Sequence, residues 1–181
     1  LAGEFSDAEE LTPRTPDFFK RFYNIDIKTL HEVLAINPGE KSITVKNLVT
    51  GEIFSDRYDR LIIATGAQAI DPPIKGIDRN NVFRLRNIGD MTKIQSFIEL
   101  NNPRKAAIIG TGYVGLEMCE SLAARRIKVT MIERLPRVTP SLDEDMATIL
   151  EKHIRSNGVE VHTGATAVKI TEKGVVLSDK K

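Results

Sequence analysis

Cysteine is nearly missing: Cys119 is the only one in 181 residues. That excludes an internal disulfide and a CxxC redox pair, and leaves Cys119 to be read as a small packing residue. Long apolar runs are missing too, with no stretch near the roughly 20 residues that span a bilayer. Neither sign of charge dominates, since 26 basic and 25 acidic residues leave a formal net charge of +1. Such a balance makes no large field to gather nucleic acid or an acidic membrane, and neither partner is expected. The pair Arg125-Arg126 reads as a solvated helix end. The three histidines are scattered, so no metal spacing and no catalytic triad emerges. The first residues lack the basic-then-apolar pattern of a secretory signal, which makes the cytoplasm the expected location.

What is present is the composition of a globular protein, 41% hydrophobic and 28% charged, enough for one ordinary domain or two small ones. A first segment runs to about Ala69. Thr15, Pro16 and Asp17 predict a helix start ahead of Phe18, Phe19 and Phe22, with Pro16 in the first turn and Asp17 favoured by the helix dipole. The runs "HEVLAI", "KSITVKN" and "EIFSD" follow, with a turn at "NLVTG", and predict a small antiparallel meander. "DRLIIATG" predicts a more buried strand. "IDPPIKGID", from Ile70 to Asp78, can sustain neither a helix nor a strand and predicts a junction.

The second segment reads strand, helix, strand, helix, strand, the order of a mainly parallel sheet covered by helices. "IGDMTKIQSFIEL" predicts a covering helix with Ile88, Met91, Ile94, Phe97 and Ile98 as its stripe. In "SLDEDMATILEKHIRSNG", Ser141 and Glu144 have capping-box spacing, Met146, Ile149, Leu150 and Ile154 share a face, and Gly158 is a natural stop. "VEVHTG", "AVKIT" and "GVVLS" supply short strands.

Chemistry is concentrated in "KAAIIGTGYVGLEMCESLAARRIKVTMIE". Gly110, Thr111, Gly112, Tyr113, Val114 and Gly115 form a GxGxxG turn between an apolar strand and an amphipathic helix, and Glu133 ends the next strand, 23 residues after Gly110. Gly110 permits the tight turn, Gly112 lets backbone approach a pyrophosphate, and Gly115 lets the helix lie close to the sheet. The helix start then offers N–H groups and its positive dipole end to the phosphates. The alternative is that these glycines serve only an α/β turn. Glu133 can accept hydrogen bonds from the ribose hydroxyls of NADH and would repel the 2′-phosphate of NADPH. Arg134 and Arg137 can pair with that phosphate, so NADH is the expected cofactor and NADPH stays open. Glu117 is either a solvated helix residue or a polar group aimed at nicotinamide. Tyr113 either caps the dinucleotide or is surface aromatic. Val114, Met118 and Leu122 are expected to pack into the sheet.

Taken together, these stretches resemble the middle of a flavin-dependent pyridine nucleotide–disulfide oxidoreductase. They look most like the group of coenzyme A-disulfide reductases, NADH oxidases and NADH peroxidases, and "NVFRLRN" tilts the likeness toward the first of these. "LTPRTPDFFKRFYNIDIKTLHEVLAI" is similar to the family's stretch downstream of its flavin-proximal cysteine helix, "YDRLIIATGA" to its ATG segment, and "IIGTGYVGLEMCESL" to its NAD fingerprint. The resemblance implies that Ala64, Thr65 and Gly66 end a strand near FAD, and that Tyr113 and Glu117 face nicotinamide. The fold it implies is α/β: a Rossmann-like, three-layer NAD-binding domain over residues 76–181, lacking its last strand, preceded over 1–75 by an antiparallel β-meander from a partial FAD-binding domain. The family's FAD fingerprint, its redox cysteine just upstream of "LAGEFSDAEEL", its Gly-Asp segment and its dimerisation domain have no counterpart here, so the chain reads as a central fragment, inactive alone. The parent is then a homodimeric enzyme passing hydride from NADH to FAD and on to a disulfide such as coenzyme A disulfide, a persulfide, peroxide or oxygen. Two other readings stay open: a stand-alone NADH-binding or sensing module, and a relative of flavin monooxygenases or ferredoxin reductases.

Overall fold

The computed structural model of the chain describes residues 14–178. The "LAGEFSDAEEL" stretch, the start of "LTPRT" and the residues after "GVVLS" lie outside them. The described residues divide into two units, 14–67 and 68–178.

In the first unit, Thr15 caps helix α1 (Pro16–Tyr23), its hydroxyl accepting from the N–H of Phe18 at 3.3 Å. Asn24, at φ 52°, closes the helix in the left-handed conformation that asparagine tolerates. Strands β1 (His31–Asn37), β2 (Ser42–Asn47) and β3 (Ile53–Arg57) then pair antiparallel in the order β1-β2-β3, as the alternating runs predict. The β2–β3 turn is held by Asn47, whose side chain accepts from the N–H groups of Val49 at 2.9 Å and Thr50 at 3.2 Å.

The strand expected over "DRLIIATG" does not form. Residues 61–66 make no ladder, and Ile62 and Ile63 are 88% and 67% exposed. An apolar, β-branched run becomes a strand only where a neighbouring edge takes up its N–H and C=O groups. Among the described residues none does so.

The second unit contains a parallel sheet. Helix α2 (Ile88–Asn101) is fixed by a reciprocal box in which Asn87 accepts from the N–H of Asp90 at 2.9 Å and Asp90 accepts from that of Asn87 at 3.3 Å. Its expected stripe is present, with Ile94 buried and Ile88, Met91, Phe97 and Ile98 half-buried. Strands β4 (Lys105–Ile109), β5 (Lys128–Ile132) and β6 (Glu160–His162) run parallel in the order β4-β5-β6. Helices α3 (Tyr113–Ala124) and α4 (Glu144–Ser156) join them. Cys119 and Leu122 of α3, Val129 and Met131 of β5, and Ala147 and Ile154 of α4 meet in one apolar core. An antiparallel hairpin, β7 (Ala167–Thr171) and β8 (Gly174–Leu177), follows. The segment before α2 is clipped to it: Lys75 bridges Lys169, and the N–H of Ile170 donates to the Lys75 carbonyl at 2.8 Å. Gly76, at φ 89°, lies so near that a Cβ would overlap the Ile170 carbonyl.

Three expected patterns are corrected here. Helix α4 has Asp143 at its N-cap position, with no side-chain hydrogen bond over the helix start, and begins at Glu144, so Glu144 sits too early for the capping box proposed with Ser141. Its inner face is Ala147, Leu150 and Ile154, whereas Met146 and Ile149 are exposed. In α3 the inward stripe is Gly115, Cys119 and Leu122. Val114 lies about 100° round the helix from Gly115 and is exposed instead of packed. Among the described residues no helix is long and apolar enough to cross a membrane, and no group of three or more potential metal ligands converges.

Candidate functional site

The glycine turn sits between β4 and α3, and its three glycines do three different things. Gly110 takes φ 103°, a conformation that side chains resist, and its N–H donates to the Ile132 carbonyl at 2.8 Å. Gly115 lies against that turn, where a Cβ would run into the Gly110 carbonyl oxygen and lie 3.5 Å from Ile108 Cγ2. Gly112 has ordinary backbone angles, φ −68° and ψ 176°, and a Cβ there would meet nothing within 4 Å. Neither the turn nor the packing therefore explains Gly112. It is the N-cap of α3, with no side chain hydrogen-bonded over the helix start. The first-turn N–H groups of a helix have no partner within it. Open space, a bare cap and a positive dipole end together fit a phosphate ligand. Tyr113 and Glu117, one turn apart on α3, are both exposed, and so is Val114.

Thr111 and Glu133 are brought together. Thr111 is fully buried and Glu133 is 9% exposed. Glu133 Oε2 accepts from the Thr111 N–H at 3.0 Å and from the Thr111 hydroxyl at 2.9 Å, while Oε1 accepts from the N–H of Leu135 at 2.9 Å. Burial pushes this carboxyl up, but the N–H groups of Leu135 and Thr111, the Thr111 hydroxyl and the Arg134 N–H outweigh it and hold the carboxyl below its ordinary value.

A pH dependence follows from that direction. The carboxylate's contribution to stability is complete above the unfolded value of about 4.3 and is lost as pH falls through the lower folded value. Melting temperature should therefore drop as pH falls below the unfolded value, and less steeply in Glu133→Gln than in the parent. Equal slopes in the two proteins would remove Glu133 as the cause.

Around this pair, Arg134 is exposed and Arg137 half-buried. The Arg137 Nε is buried with no hydrogen-bond partner among the described residues. Cys119 is buried in the core, and burial followed by the charge of Glu120 raises its thiol pKa, which keeps it in the unreactive thiol form. Ala64, Thr65 and Gly66 belong to the 14–67 unit and are exposed, with Gly66 at φ 72°. The expectation that they end a strand is not met.

One participant escapes sequence reasoning altogether. Thr139 is buried in the segment after β5, donating its N–H to Thr111 Oγ1 at 3.0 Å and its hydroxyl to the Thr111 carbonyl at 2.8 Å. No motif marks it, because its partner lies 28 residues away in sequence.

Comparison with known proteins places the chain in a family. Residues 3–181 match the pattern of the pyridine nucleotide-disulphide oxidoreductases. A coenzyme A disulfide reductase of Staphylococcus haemolyticus is 35% identical over 92% of this chain and 37% of its own length. An NADH oxidase of Methanocaldococcus jannaschii is 37% identical over 96% of this chain and 39% of its own length. The crystal structure of reduced Bacillus anthracis CoADR-RHD superposes with a TM-score of 0.90 and 35% identity, covering 99% of this chain and 33% of that one. The chain thus spans less than two-fifths of the length of these relatives. A match over nearly the whole chain, on a fold with the glycine turn and its acid in place, leaves one conclusion: the chain belongs to the pyridine nucleotide-disulphide oxidoreductase family.

Proposed function

We propose that residues 76–178 form the seat of NADH in a flavin-dependent NAD(P)H oxidoreductase whose acceptor is a disulfide such as coenzyme A disulfide. The observation that carries this reading is Gly112, left without a side chain where neither the backbone angles nor the packing demands it. In this reading the pyrophosphate lies over Gly112 and accepts from the first-turn N–H groups of α3. Gly110 and Gly115 set the turn. Tyr113, next to Gly112, and Glu117, one turn further along α3, are exposed and face the nicotinamide half, and Val114 shares the open first turn. When bound, NADH supplies hydride to a flavin, for which Ala64, Thr65 and Gly66 are this chain's candidate neighbours.

Glu133 has a narrower part than its position at a strand end predicts. A carboxylate offers roughly four lone-pair sites, and three already accept from Thr111 and Leu135. The Arg134 N–H also acts on this carboxylate, so a ribose hydroxyl would share an oxygen already in use instead of taking a free site. Its charge still opposes a 2′-phosphate, with Arg134 and Arg137 acting the other way. The likeness to an enzyme named NADH oxidase supports the same cofactor with oxygen as a second possible acceptor.

Fluorescence titration of the protein with NADH and with NADPH tests this, beside a visible spectrum for flavin. NADH should bind more tightly than NADPH by about tenfold, the factor that 1.4 kcal/mol produces. A folded protein that binds neither nucleotide would sink the proposal, and equal binding would remove Glu133 as the discriminating group.

A further inference from the structure

We propose that Thr139 is a positioning residue for recognition of the adenosine ribose, an inference that rests on the dinucleotide reading of the glycine turn. Its warrant is a directed chain of hydrogen bonds. The N–H of Thr139 can only donate, so Thr111 Oγ1 accepts it at 3.0 Å. The single proton of the Thr111 hydroxyl is thereby left for Glu133 Oε2, 2.9 Å away. The Thr139 hydroxyl gives its own proton to the Thr111 carbonyl at 2.8 Å. Every donor in the chain has one acceptor, and the chain ends on the carboxylate that faces the ribose.

The backbone of Thr139 makes the same point from another side. It sits at φ 41°, a left-handed conformation in which a β-branched residue is a genuine outlier and glycine or asparagine would rest easily. It is 1% exposed, and its neighbour Val138 is fully buried, so the surroundings hold it there. Its two bonds to Thr111 fix the far end of the segment that carries Arg134 and Arg137, and fix the hydroxyl that orients Glu133. Losing the Thr139 hydroxyl frees the Thr111 carbonyl, and with it the residue whose N–H and hydroxyl hold the Glu133 carboxylate toward the ribose.

Three substitutions in the intact protein separate this role from a merely structural one. Thr139→Val keeps the branch and removes the hydroxyl. Thr139→Gly removes both and suits the backbone angle. Thr139→Ser keeps the hydroxyl. Dissociation constants are measured for NADH and for its analogue lacking the adenosine-ribose 2′-hydroxyl, together with melting temperature. Valine and glycine should weaken NADH by about fivefold, the size of one lost hydrogen bond, and leave the deoxy analogue within about twofold. Serine should bind like the parent. Glycine should melt no lower than valine, so that weaker binding cannot be laid to instability. Equal losses for the two ligands, or unchanged NADH affinity in both variants, overturns the role of Thr139 alone. A parent protein that binds NADH no better than the deoxy analogue overturns the ribose reading of Glu133, and the role of Thr139 with it.

Discussion

Gly112→Val is expected to weaken NADH binding by about 100-fold or more while leaving the protein folded. Two charge-assisted hydrogen bonds from the helix start to the pyrophosphate, each worth about 1.5–3 kcal/mol, account for a loss of that size. The variant survives because valine accepts φ −68° and ψ 176°, and its Cβ meets nothing within 4 Å. Valine is a poorer N-cap than glycine, which costs about 1 kcal/mol. The same change at Gly115 would push the helix off the Gly110 carbonyl and report on folding instead. Calorimetric titration alongside a thermal melt checks the claim. A folded Gly112→Val protein with parental affinity would show that no phosphate lies over this residue.

Glu133→Ala should destabilise the protein by about 3–5 kcal/mol, because it leaves two N–H groups and a hydroxyl without their acceptor. Two of those donors belong to Thr111, which has no exposed surface through which water could replace the carboxylate. Glu133→Gln should lose less, about 1–2 kcal/mol: its amide oxygen can still serve Thr111, but its NH₂ then confronts the Leu135 N–H. Urea unfolding of the two variants distinguishes these outcomes. An alanine variant within about 1 kcal/mol of the parent would mean that the carboxylate does not hold the turn. Alanine is accordingly a poor probe of ribose recognition here, since weak binding would record a damaged turn as readily as a missing contact.

The parts legible in the sequence are those whose cause is local. Thr15 and Pro16 start α1, the Asn47–Gly51 turn joins β2 to β3, and "GTGYVG" joins β4 to α3, each through residues adjacent in the chain. The family likeness was legible for the same reason. Failures came where a distant partner decides. "DRLIIATG" has every strand-forming preference, yet its neighbour edge cannot be read from its own residues. Ser141 and Glu144 have the right spacing for a cap, but the segment from Thr139 is held against Thr111, and the helix starts only after Asp143. Met146 and Ile149 read as core because periodicity gives a face without saying which way it turns; the packing against β6 turned Ala147 and Ile154 inward. Thr139 itself carried no signal, since a lone threonine in a loop means nothing until Thr111 stands beside it.

The clip between Lys75 and the β7–β8 hairpin makes the second unit a closed loop in the topological sense. Residues 75 and 170 lie near opposite ends of the 68–178 stretch, and the Ile170 N–H bonded to the Lys75 carbonyl joins them. A contact that spans so much intervening chain carries a larger loop-closure entropy than the local strand–helix pairs and is expected to form after them. Tension entering the chain at residue 68 therefore meets the clip to the β7–β8 hairpin before it meets β4, β5, β6 or the turn that Gly112 opens.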